Sequence, residues 1–62
     1  MEDVFFTPET LAEYLQVPVR TVYAWRHKGD GPRGHRVGRH VRYKRSEVAR
    51  WLEAQADPRP AA

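Results

Sequence analysis

The sequence predicts a mainly α fold with one small β-hairpin, its elements ordered helix, helix, hairpin, helix. Three observations predict it. Two short stretches with apolar residues at helical spacing are separated by only two or three residues around Pro18. A stretch from Arg36 to Lys44 alternates apolar and basic residues about a central Gly38-Arg39. A third amphipathic stretch follows Ser46.

The first helix has a clear start. Thr7 can cap it, Pro8 suits the first helical position, and Glu9 complements the positive end of the dipole. Phe6, just before the cap, can pack against Leu11 as a hydrophobic staple. Leu11, Ala12 and Leu15 form its apolar face. It ends near Leu15–Gln16, because Pro18 disfavours helical geometry at Val17.

The second helix runs from about Pro18 or Val19 to Lys28, with Gly29 as its C-terminal cap. Val22 and Trp25 point to the core; Arg20, Ala24 and His27 lie on a different face. Two short helices joined this tightly, the second basic outside and apolar inside, are the signature of a helix-turn-helix.

Asp30 to Gly34 is a loop by composition. The hairpin then reads as a ribbon with Val37, Val41 and Tyr43 on its apolar face and Arg36, His40, Arg42 and Lys44 on its basic one, leaning on the helices for stability. With Ser46 as cap and Glu47 in its first turn, the third helix carries Val48, Trp51, Leu52 and Gln55 on one face and buries Trp51 and Leu52. A basic hairpin after a helix-turn-helix is a wing, so the fold expected is a winged helix-turn-helix. Residues 1–55 are expected to form this one domain and residues 56–62 a flexible tail.

The charge is segregated. Residues 1–18 carry four acids and no Lys or Arg, whereas residues 19–45 carry nine Lys or Arg against Asp30 alone. Such clustering is an electrostatic footprint for nucleic acid. The basic stretch is broken by Gly and Pro and does not form one amphipathic helix, which argues against a membrane surface. No apolar run reaches the roughly 20 residues of a membrane span, and the acidic N-terminus is unlike a signal peptide. A cytoplasmic, nucleoid-associated protein is the expectation.

Other chemistries find little support. The chain has no cysteine, which excludes disulfides and thiolate metal sites. His27, His35 and His40 lack ligand-like spacing, so no metal and no cofactor are expected. No Ser-His-Asp set, paired carboxylates or phosphate-cradling glycine loop can be argued; the expectation is a non-enzyme without a small-molecule ligand. Trp25 and Trp51 fit a core better than stacking platforms for single strands, given their spacing with Val22 and Leu52.

The stretches TPETLAEYLQVPVRTVYAWRHKG, HRVGRHVRY and KRSEVARWLE together resemble the small excisionase-type winged helix-turn-helix proteins, relatives of the DNA-binding domain of mercury-resistance-type regulators. The likeness covers Phe6 to Glu53, with one departure: Pro18 stands where relatives often have a capping Ser. The resemblance implies double-stranded DNA as partner, with Arg20, Thr21 and Ala24 facing the major groove. His27 and Lys28 belong to the same expected surface, with Tyr23 at its border or packed at the edge of the core. Arg20 can read guanine or touch phosphate; Thr21 and Ala24 can meet a thymine methyl. In the wing, Arg39 at the tip is expected in the minor groove and Arg36, His40 and Arg42 on phosphates. Lys44 and Arg45 either lie near the DNA or support local structure.

For function, the resemblance implies an excisionase, a recombination directionality factor from a bacterium or phage. Such a protein bends DNA near an attachment site and helps an integrase or recombinase favour excision. The alternative is a small transcriptional regulator of phage, plasmid or integrated-element genes. A third reading is an interaction module whose basic face binds an acidic protein. No effector domain or long dimerisation helix is legible, so a monomer that self-associates cooperatively on tandem DNA sites is expected.

Overall fold

The computed structural model describes residues 4–58. The element order is β1 (Phe5–Phe6), α1 (Pro8–Leu15), α2 (Val19–Lys28), β2 (Gly34–Val37), β3 (His40–Lys44) and α3 (Arg45–Ala54). It is a small winged helix-turn-helix domain. Of the expected tail, residues 59–62 lie outside the described residues.

Thr7 caps α1 through a capping box in which Thr10 takes the returning role. The Thr10 N–H donates to Thr7 Oγ1 at 2.9 Å and the Thr7 N–H donates to Thr10 Oγ1 at 2.8 Å. Phe6 stacks on Tyr14 with ring centroids 4.9 Å apart, so the aromatic pair helps fix the entry of the chain into α1.

α1 and α2 end on the same device. Gln16 adopts the left-handed region (φ 59°), and the N–H groups of Gln16 and Val17 donate to Glu13 and Ala12 carbonyls at 3.2 and 3.0 Å. Gly29 (φ 82°) repeats it, with the Asp30 N–H reaching the Trp25 carbonyl at 2.7 Å. These are Schellman closures. At the start of α2 Pro18 makes no side-chain cap bond; its carbonyl takes the Thr21 N–H at 2.9 Å instead. The turn of the helix-turn-helix is thus three residues, Gln16 to Pro18.

Leu11, Ala12, Val22, Tyr43 and Val48 form the buried core, with Phe6, Leu15, Val17, Trp25 and Val41 packed around it. Every helix and the wing therefore contribute. Trp25 and Trp51 meet with ring centroids 5.2 Å apart and tilted by 51°, tying α2 to α3. A side chain at Gly31 (φ 77°) would place its Cβ 2.9 Å from Trp25 Cβ, so glycine lets the loop lie against that indole.

Four sequence expectations need correction. First, the sheet has three strands, ordered β1-β3-β2, because Phe5 and Phe6 pair antiparallel with Lys44 and Tyr43. Second, the faces of the hairpin are divided differently. Gly38 (φ 63°) takes the first central position of a two-residue turn, where a type II′ turn needs positive φ. The turn pairs Val37 with His40 and Arg36 with Val41. Directly paired residues share a face, so Val37 joins His40 and Arg42, while Arg36 shares the face of Val41 and Tyr43. Third, α3 begins at Arg45 rather than after Ser46. β3 runs straight into it, Lys44 occupies the cap position, and the Arg45 N–H donates to the Val4 carbonyl at 2.8 Å. A backbone acceptor beside β1 thereby meets one of the donors left open at the start of the helix. Fourth, Leu52 is 38% exposed, because Val48 and Trp51 occupy the inward side of α3.

Candidate nucleic-acid interface

α2 carries its exposed residues on one broad face. At 100° per residue, Val22 and Trp25 define the inward side, and Arg20, Ala24 and His27 point away from it. Arg20, Ala24, His27 and Lys28 are exposed, whereas Thr21 is half-buried at the margin of the core. Arg26, His27 and Lys28 fill the last turn, where cations complement the negative end of the helix dipole.

Tyr23 sits on a flank of this face, 48% exposed. Its hydroxyl donates to Glu9 Oε2 at 2.8 Å, linking the middle of α2 to the first turn of α1. The bond holds the Glu9 carboxyl below the ordinary carboxylate range and raises the Tyr23 phenol above the ordinary tyrosine value. Tyr23 therefore belongs to the inter-helix contact as well as to the exposed surface.

Arg36, Arg39 and His40 are exposed at the free end of the wing. Arg42 lies nearer its root, half-buried, with Nη1 donating to the Val41 carbonyl at 2.8 Å. Lys44 is half-buried in the same strand and Arg45 is exposed at the start of α3. His35, opposite Arg42, meets α3 through Glu47. The structure thus gathers Arg20, Tyr23, Ala24, His27 and Lys28 on α2 and Arg36, Arg39 and His40 at the wing end; Thr21 and Arg42 are partly withdrawn.

One cation was not among the expected contacts. Arg26, three residues after Tyr23, shares its flank and faces the wing root, where a Cβ on Gly34 would lie 2.7 Å from Arg26 Nη1. Burial pushes the Tyr43 phenol above the ordinary tyrosine value, while the positive charge of Arg26 pulls it down. No sequence signal marks this placement, because it depends on how the wing returns beside α2.

No helix among the described residues is long and apolar enough to cross a membrane. Among the same residues no three His, Asp or Glu side chains gather in a way that could hold a metal ion.

An exposed, basic second helix beside an arginine-bearing hairpin defines a sequence-specific DNA-binding domain of the winged helix-turn-helix class. The chain belongs to the helix-turn-helix domain family, a family of small excisionase-type DNA-binding domains, whose model matches residues 5–56. No curated protein and no solved structure matches the chain.

Proposed function

We propose that this chain is an excisionase. In this reading it binds double-stranded DNA near an attachment site, bends it, and biases a partner integrase towards excision. α2 enters the major groove with Arg20, Thr21 and Ala24 towards base edges, flanked by Tyr23, His27 and Lys28. The wing follows the backbone, with Arg39 in the adjacent minor groove and Arg36, His40 and Arg42 towards phosphates. Copies assemble cooperatively on tandem sites, each adding contacts that offset a bending cost of a few kcal/mol. The work is done among the nucleoid of a bacterial cytoplasm.

The observation that supports this most is the family match across residues 5–56, taken with exposed Arg20 on α2 and exposed Arg39 at the wing turn. These two residues suit an architectural factor that touches both grooves.

The test is to incubate the protein with sheared host DNA, recover bound fragments and map them. Tandem sites beside an integrase gene or attachment site are expected. Sites over promoters, with no attachment site among them, would instead establish the small transcriptional regulator.

A further inference from the structure

We propose that Arg26 is a DNA-phosphate-binding residue at the junction of α2 and the wing, and that Gly34 is the residue that makes room for it. The inference rests on the DNA-binding reading above and adds a contact to it.

Arg26 is exposed, and its guanidinium lies beside the wing root. Nη1 lies so near the wing root that a Cβ at Gly34 would approach it to 2.7 Å. Among the described residues no carboxylate pairs with it. A guanidinium beside the wing root without a counter-ion has its donors open to an anion that enters the adjacent surface.

That surface is concave. Tyr23, Arg26 and His27 line one hollow on the α2 side, and Arg26 also lines a second with Gly34, Arg33 and Asp30 on the loop side. The second hollow has one acid, Asp30, among its lining residues; the first has none. With Arg20 and Ala24 directed at one groove and the wing at the next, the strand between the grooves must cross the junction. Arg26 points about 120° from Arg20 around the helix axis, towards the wing rather than into the groove. Its ligand is therefore a phosphodiester oxygen, not a base edge, and the guanidinium fork suits two such oxygens.

Gly34 explains why the arrangement is available. A Cβ there would lie 2.7 Å from Nη1, the end of a flexible side chain that must then shift, and 3.2 Å from Cε1 of the buried Tyr43.

The experiment is fluorescence anisotropy on mixed-sequence duplexes over a range of salt concentrations, with a melting curve for each variant. Arg26→Ala is expected to weaken binding to every duplex by a similar factor and to reduce the slope of log K against log salt by about 0.9, leaving Tm within a few degrees. Gly34→Ala keeps the charge but displaces the guanidinium, and is expected to weaken binding in the same direction. A folded Arg26→Ala variant with the wild-type salt slope overturns the role of Arg26 alone. If Gly34→Ala binds as wild type does while Arg26→Ala is impaired, the role of Gly34 falls. A wild-type chain that ignores duplex DNA at low salt overturns the DNA-binding reading, and this inference with it.

Discussion

Nε2 of His35 lies 2.7 Å from Oε1 of Glu47, so a hydrogen bond joins the wing to the first turn of α3. Glu47 Oε1 accepts from a ring whose own strand continues to the exposed Arg36–His40 end, and the bond therefore steadies the base of the wing. The side chain of Glu47 is only 18% exposed. The His35 bond holds the Glu47 carboxyl below the ordinary carboxylate range, helped by Arg33 and Lys44.

A carboxyl whose folded-state pKa is lowered adds stability above its unfolded value, about 4.3, and loses it as pH falls through the folded value. Thermal melts between pH 6 and pH 3 are expected to show Tm falling with acidity. In Glu47→Gln the starting Tm is lower and the fall below about pH 4.3 is shallower. Equal acid sensitivity in the two proteins would remove Glu47 from the account.

The Tyr23–Glu9 bond is tested by titration. The Tyr23 phenol is expected to ionise above the ordinary tyrosine value of about 10, and Glu9→Gln to bring it down towards that value. NMR shift titration separates Tyr23 from Tyr14 and from Tyr43, which is raised mainly by burial. A Tyr23 titration unaffected by Glu9→Gln would mean that the bond does not persist in solution.

Gln16 is the one described non-glycine residue with positive φ. A left-handed conformation costs a side-chain-bearing residue roughly 1–2 kcal/mol, part of which glycine recovers after its larger entropy loss on folding. Gln16→Gly is expected to stabilise the domain by up to about 1 kcal/mol, seen as a Tm rise of up to roughly 4–8 °C. A fall in Tm would show that the glutamine side chain contributes more than its backbone strain costs.

Arg20 and Arg39 separate base reading from backbone or shape reading. Arg20→Ala is expected to relax preference at one position of the site by about 1–3 kcal/mol, measured by competition among single-base variants of the bound sequence. A uniform loss across all sequences would make Arg20 a phosphate contact only. Arg39→Ala is expected to lower affinity and DNA bending while Tm stays near wild type, because Arg39 is exposed at the turn. Unchanged binding would place the wing tip off the DNA.

The parts of the fold legible in the sequence are those with local punctuation. Thr7-Pro8, Pro18 and Gly29 bound α1 and α2 because caps and prolines act within one turn of chain. Gly38-Arg39 marked the hairpin for the same reason. The faces of that hairpin were not legible, because a one-residue change in the pairing exchanges Arg36 and Val37 between faces, and the turn geometry sets the pairing. β1 was hidden because two residues show no period; Phe5 and Phe6 become a strand only by pairing with β3. Ser46 has the residue type of a cap, yet the Val4 carbonyl beside β1 meets the Arg45 N–H and α3 starts two residues earlier, with Lys44 in the cap position. On α2 the exposed face of Arg20, Ala24 and His27 followed from spacing, whereas the place of Arg26 beside Gly34 depends on how the loop between them folds.

In the proposed function α2 and the wing together form the DNA-binding face. This is tested most directly by recording the amide spectrum of labelled protein while a mixed-sequence duplex is added at low salt. Shifts are expected to concentrate at residues 19–28 and 36–42, with the outer side of α3 around Leu52 and Glu53 unmoved. Shifts confined to α3 and β1, or none at all, would contradict it.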